Sequence, residues 1–436
     1  MRDGTATKLS VNPLSGLVAQ EAHSQFSILA ASTGALFSFR SIFVLISARW
    51  LNVGTEGGVA AGFAVIAILF VASSFASAGH DTGQRHEMFQ VLTFRWVMLY
   101  VAFAGCSLFW SASASPQGSA VYWGGIVLDV ALVVMLFRAC GPNSAAHSLM
   151  KGFIAGSCTV AVIAWLMPVA ADLRLGDIDY FNTNQIGNLC AFSLLMCALL
   201  ASRGDGHWRV TALFLVVTLF RSLSKSTIVA FIVCQAYHLM HDIGMSRKRK
   251  SLVIGSAVVL TLCFWSLYGA YYDVYSTEGD QAETLTGRTA IWAWTMDAAL
   301  DHPYFGNGFD AMWKVAPPFG GELFEARHAE NELLQQFFAY GLCGIFLVGA
   351  VYMSLYRGIR KLPLGTERSI LTSFLIYVLV RGLAEADPFD LLLPLWLIAA
   401  LAFMVHDQLL ESLADQTVTA GVLDRGPVHA LPSEAM

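Results

Sequence analysis

T-L-T-G-R-T-A-I-W-A-W-T-M-D-A-A-L-D-H-P-Y-F-G-N-G-F-D, residues 284–310, leads through a polar interval into R-H-A-E-N-E-L-L-Q-Q-F-F-A-Y-G-L-C-G, residues 327–344. Apolar runs make up most of the remaining chain, and 284–331 is its longest segment able to live in water. It gathers Arg288, His302, His328, Glu330 and Asn331 close to where the chain re-enters an apolar run. Cations, bases and amides concentrated at the mouth of a membrane helix suggest a catalytic floor.

Working outward, hydrophobic residues are 56% of the 436 and charged residues 13%, and mean hydropathy is +0.59. This is far from a soluble composition and reads as an all-α, polytopic integral membrane protein. Nothing in it marks a nucleic-acid partner. The net charge of −5 says little by itself, because the distribution of Lys and Arg between the two sides carries the information. All eight cysteines fall in or beside apolar runs, so they read as small core residues and not as a disulfide or zinc framework. The N-terminus lacks a basic region leading straight into an apolar run with an A-x-A site, so no cleaved signal peptide is expected.

A spanning helix needs roughly 20 apolar residues, and about twelve such runs can be marked. They lie near 26–47, 58–78, 91–110, 119–137, 150–170, 184–201, 209–223, 226–243, 251–271, 332–356, 368–386 and 389–410. Only Ser224 and Lys225 separate 209–223 from 226–243. The basic loops (Arg138 and Lys151; Arg203 and Arg209; residues 247–250; Arg357, Arg360, Lys361 and Arg368) fall on one side when the N-terminus is inside. The expected organisation is therefore a cytoplasmic segment 1–25, transmembrane helices 1–9 over 26–271, a long periplasmic catalytic loop 272–331, helices 10–12 over 332–410, and a disordered cytoplasmic tail 411–436. Arg40, Arg95, Asp129 and Arg381 lie inside apolar runs and should face the bundle or snorkel. Glu385 and Asp387 lie near the outer end of their run, within reach of the same cavity, and Arg381 stands four residues before Glu385, as an internal ion pair would.

The motifs fall toward one side. Glu330 and Asn331 precede nine residues, Gly341, two residues and Gly344. This resembles the signature of the bacterial O-antigen ligase and O-antigen polymerase family, where His-Asn, nine residues and G-x-x-G occur. Further landmarks of that family follow in order: L-F-W-S-A (108–112), F-N-T-N-Q-I-G (181–187), S-K-S (224–226), G-R-T-A-I-W (287–292), H-P-Y-F-G-N-G-F (302–309) and R-G-L-A-E-A-D (381–387). The resemblance covers residues 90–400. It implies a GT-C-like glycosyltransferase of the bacterial inner membrane, acting on polyprenyl-diphosphate-linked oligosaccharides beside flippase and chain-length regulator proteins.

Glu330 stands where family ligases carry His, with His328 two residues earlier, and Lys225 stands where Arg is common. The first difference favours polymerisation of repeat units over ligation to lipid A core, and a non-enzymatic lipid-linked glycan transporter is the reading from a different class. Moving a sugar off a lipid diphosphate needs fixed cations for the leaving group and a base for the acceptor hydroxyl. Arg288 offers a planar fork for phosphate oxygens, with Arg221 and Lys225 as further cations. Glu330 or His328 can take the proton, while Asn182, Asn184, Asn331 and Glu385 can orient substrate. Protein cations suffice for this chemistry, so no metal or cofactor is expected; Asp177 and Asp179 form a D-x-D of a kind common in loops. Each residue also has a structural reading. Arg221 and Lys225 could snorkel, Asn182 and Asn184 could cap a helix, Trp292 and Trp294 could anchor an interface, and Gly306 and Gly308 could turn the chain after Pro303.

Overall fold

A computed structural model describes residues 13–78, 88–168, 173–177, 180–278, 285–319 and 325–424. Its helices are α1 (Pro13–Leu45), α2 (Thr55–Ala78), α3 (Leu92–Ser107), α4 (Pro116–Cys140), α5 (Pro142–Leu166), α6 (Thr183–Ser202), α7 (Arg209–Arg221), α8 (Lys225–His241), α9 (Arg247–Cys263), α10 (Trp265–Glu278), α11 (Leu285–Asp301), α12 (Glu332–Lys361), α13 (Thr366–Arg381) and α14 (Leu395–Asp424). Among the described residues extended pairing is limited to one bridge between Asp177 and Phe181. The protein is all-α and polytopic.

Every apolar run marked in the sequence contains a helix, although the runs 368–386 and 389–410 are helical only over 368–381 and 395–410. Among the described residues seven helices (α1, α2, α4, α5, α6, α12 and α14) are long and apolar enough to cross a membrane, and α9 with Trp265–Tyr272 forms an apolar pair bent by 51°, the geometry of a broken span or a re-entrant loop. The remaining runs give α3 with 16 residues, α7 with 13, α8 with 17 and α13 with 16. These are shorter than the roughly 20 residues of a straight span. The expected twelve runs thus resolve, among the described residues, into seven span-length helices, one bent pair and four short helices. The short ones stop where polar chemistry interrupts them: Leu223 adopts a left-handed φ of 61° between α7 and α8. α13 ends at Arg381, five residues before its apolar run does, because the carbonyls of Gly382 and Leu383 accept from the Glu332 amide (2.9 Å) and the Asn331 side chain (3.2 Å). At the C-terminus α14 continues through Asp424, beyond the tail boundary expected at 411.

Small residues let α1 and α5 approach backbone to backbone. A Cβ on Gly34 would stand 1.9 Å from the Leu149 carbonyl oxygen, and one on Gly152 would stand 1.8 Å from that of Ala31. Arg40 of α1 grips Asp129 of α4 through two hydrogen bonds of 2.8 and 2.7 Å, so this membrane charge does face the bundle. Asp129 is buried while the Arg40 side chain is 38% exposed, so the pair is a half-buried one. All eight cysteines are free thiols. At one end of the bundle Arg203 pairs with Glu367 and Asn143 donates to Asp407 at 2.7 Å, while Thr366 donates to Asp242 at 2.9 Å; these contacts tie α5, α6, α8, α13 and α14 together.

The polar stretch caps the other end with a core of its own: Ile291, Ala299, Met312, Ala326, Ala329, Leu334 and Phe338. Trp294 packs there against Phe319 and Phe338, so it serves the cap core. The G-x-x-G motif joins cap to bundle. Gly341 takes φ 62° and ψ −154° inside α12, interrupting its ladder. The backbone groups released there are taken up by the H-P-Y-F-G-N-G-F loop: Asn307 and Gly308 amides donate to the carbonyls of Phe338 (2.9 Å) and Ala339 (2.8 Å), and the Leu342 amide donates to Pro303 (2.8 Å). Backbones this close leave no room for side chains, since a Cβ on Gly306 would stand 2.4 Å from the Ala339 carbonyl carbon. The same loop meets L-F-W-S-A, where Ser111 donates to Phe309 at 2.6 Å and Ala112 donates to Asn307 at 2.9 Å. Asp310 accepts from Ser119 at 2.8 Å. Burial raises the Asp310 carboxyl, an effect the Ser119 hydrogen bond partly offsets.

Candidate functional site

Five segments meet at the capped end: the starts of α6, α8 and α12, the middle of the cap around α11, and the loop after α13. Their meeting point is the Glu385 carboxylate, whose side chain is only 6% exposed. Its Oε1 accepts from Asn184 at 2.8 Å and from Ser226 at 2.9 Å. Arg288 of α11 lies 3.9 Å from the same oxygen, and Arg381 lies 3.8 Å from Oε2. The pair expected between Arg381 and Glu385 therefore forms, although Glu385 sits in a loop and not on a continuing helix. Asn184 is oriented from its other side, its Oδ1 accepting from Ser224 at 2.7 Å. Gly187 lets this happen, because a Cβ there would crowd Ser224 at 3.1 Å. The sequences F-N-T-N-Q-I-G and S-K-S are thus two halves of one contact.

Arg288 reaches the second carboxylate too, at 3.3 Å from Glu330. Glu330 is held at a left-handed φ of 51°, a conformation costing a non-glycine residue on the order of 1–2 kcal/mol. That twist sends its side chain back toward Arg288 just as Asn331 caps α12, its Oδ1 accepting from Leu334 at 3.0 Å. His328 Nδ1 lies 3.7 Å from the Glu330 carboxylate and accepts the Glu330 amide at 3.3 Å. The amide contact assigns the neutral imidazole proton to Nε2 and occupies the ring's free lone pair. The Glu330 carboxylate is engaged by Arg288 and His328, and His328 Nδ1 by the Glu330 amide, so both candidate bases are partnered in this arrangement.

The other expected residues divide. Asn182 caps α6 by accepting from Gln185 at 2.9 Å, and both ends of the Asn331 amide are used in holding backbone. Arg221 donates to the Leu173 carbonyl at 2.8 Å, and the Lys225 ammonium lies 5.2 Å from the Tyr271 ring centre. The cations expected to act together therefore form two groups, Arg288 with the carboxylates and Arg221 with Lys225 beside the 173–174 segment. Asp177 pairs with Arg49 at 2.7 Å, and Asp179 lies outside the described residues. Sequence reasoning did not select Ser224, Ser226, Arg174 or Tyr271 as site residues. The S-K-S triplet signals the serines, but no motif signals the last two.

A family model described as O-antigen ligase matches residues 210–349. That interval carries Arg221, Lys225, Arg288, His328, Glu330 and Asn331 and leaves Asn184 and Glu385 outside. The chain is 22% identical over 324 residues to the exopolysaccharide production protein ExoQ of Rhizobium meliloti (strain 1021), over 68% of this chain and 73% of that protein. The fold and site thus define a multi-pass α-helical membrane protein with a capped polar centre. Both comparisons support the O-antigen ligase and polymerase-like family that its motifs resemble.

Proposed function

We propose that this protein is a membrane glycosyltransferase that polymerises polyprenyl-diphosphate-linked oligosaccharide repeats of O-antigen or exopolysaccharide at the periplasmic face of the bacterial inner membrane. The observation that supports the reading is Arg288, held between Glu330 and Glu385 at the capped end of the bundle. In the reaction an acceptor hydroxyl oxygen bonds to the donor's anomeric carbon, the bond from that carbon to the diphosphate oxygen breaks, and the hydroxyl proton passes to Glu330. Arg288 turns from the carboxylates onto the departing diphosphate, which neutralises charge where it develops and frees Glu330 to accept the proton. Glu385, fixed by Asn184 and Ser226, keeps Arg288 aimed between the turns of the cycle.

The charge is carried by protein cations, so turnover should persist in a chelator. Loss in chelator with rescue by a divalent ion would contradict that and direct attention to Asp177. The excess of basic residues in the loops at the opposite end supports a cytoplasmic position for that end. Ligation to lipid A core is the second reading, favoured by the family model's description as O-antigen ligase. Glycan chain length in a deletion strain separates the two: loss of polymer with a single repeat retained is expected, whereas accumulated lipid-linked polymer would assign a ligase.

A further inference from the structure

We propose that Arg174 and Tyr271, with Lys225 and Arg221, form the receiving site for the anionic head of the lipid-linked donor, Tyr271 being its displaceable cap and the α9 and α10 arm the side from which the lipid enters. This rests on the glycosyltransferase reading. Arg174 donates to the Tyr271 phenolic oxygen, and its guanidinium carbon lies 5.3 Å from the ring centre. Lys225 approaches the same centre to 5.2 Å. Arg221 holds the carbonyl of Leu173, which sits at a left-handed φ of 63°, so one arginine fixes the backbone that carries the other. The ring between these cations is 8% exposed. A phenol oxygen accepting from a guanidinium stands where a phosphate oxygen would accept, and a charged phosphate is the stronger acceptor.

The arm that brings Tyr271 there is weakly bound to the body. α9 has no buried residue, and Leu252, Val259 and Leu262 are 73%, 57% and 65% exposed. Past the 51° bend, α10 returns to the bundle through Tyr268, which donates to the Phe220 carbonyl at 3.4 Å, and through Tyr271. The exposed apolar side chains of α9 lead to this cationic end, an arrangement complementary to an isoprenoid chain with a diphosphate head. A neutral lipid would gain nothing from the cations.

The test uses the full chain in phosphatidylcholine nanodiscs with undecaprenyl diphosphate and a photoreactive isoprenyl diphosphate. Adducts are expected on α9 and α10, Arg174→Gln should weaken binding about tenfold, and Tyr271→Ala should speed association, with helix content by circular dichroism unchanged. Should Arg174→Gln fail to fold, the adduct map of the unaltered protein decides alone. Adducts confined to other helices, unchanged binding by a folded Arg174→Gln, or displacement by excess phosphatidylglycerol would each overturn the proposal and leave the transferase reading standing. An unaltered protein that neither binds the lipid nor transfers sugar would overturn both.

Discussion

Asn184 and Glu385, 201 residues apart in sequence, are joined by a 2.8 Å hydrogen bond that ties the start of α6 to the loop after α13. Because the same Glu385 oxygen takes Ser226 and faces Arg288, this bond sets where the candidate clamp points.

Asn184→Ala leaves Glu385 and Ser224 each short of one partner in a mostly buried site, a loss of about 1–3 kcal/mol. Thermal melting of the purified protein should move down accordingly. Glu385→Gln keeps the shape and removes the charge between Arg288 and Arg381; membrane levels should hold while polymer yield falls at least about tenfold. An unchanged melt for the first variant, or wild-type polymer from the second, would deny Glu385 its organising place.

Gly341→Ala should prevent correct assembly. At φ 62° and ψ −154° an L side chain is strained, and its Cβ would stand 2.4 Å from the Tyr304 carbonyl carbon. Gly349 lies on the same helix with nothing within 4 Å of such a Cβ, so Gly349→Ala is the matched control. Recovery of monodisperse protein after detergent extraction measures both; equal recovery would mean that the α12 break tolerates a side chain.

The apolar runs were legible because lipid exposure imposes length and composition, and every one of them contains a helix. The start of α11 was legible from Thr286, Gly287 and Arg288. What escaped depends on contacts between distant segments. The stop of α13 at Arg381 follows from the α12 entry pulling on Gly382 and Leu383, and no local breaker other than Gly382 announces it. The division of the cations follows from Tyr271, which no motif marks. Gly341 and Gly344 read as part of a functional signature, yet Gly341 splices backbone to backbone.

Orientation is open to direct labelling. With exposed Cys106 and Cys263 replaced, a cysteine at exposed Glu325 should react with an impermeant reagent from outside the cell, and one at exposed Ser246 should not. The reversed pattern would put the capped end in the cytoplasm and remove a periplasmic site.

Assignment of the base rests on comparing two substitutions. Glu330→Gln preserves shape and removes the proton acceptor, whereas His328 already accepts the Glu330 amide at its free ring nitrogen. Turnover at saturating substrate should fall by about 100-fold or more for Glu330→Gln and by less for His328→Gln. The opposite ranking would transfer the role to His328, and equal mild losses would leave the clamp as the main source of rate.

The most direct measurement is polymerisation by the purified protein in nanodiscs supplied with a lipid-linked repeat, following glycan length and released lipid diphosphate together for the unaltered protein and Arg288→Lys. Lysine keeps the charge and loses the fork. A ladder of repeats is expected, with one lipid diphosphate released per bond formed, and loss of at least about 90% of both with Arg288→Lys at normal protein levels. A near-wild-type ladder from Arg288→Lys, or no transfer by the unaltered protein, would contradict that expectation.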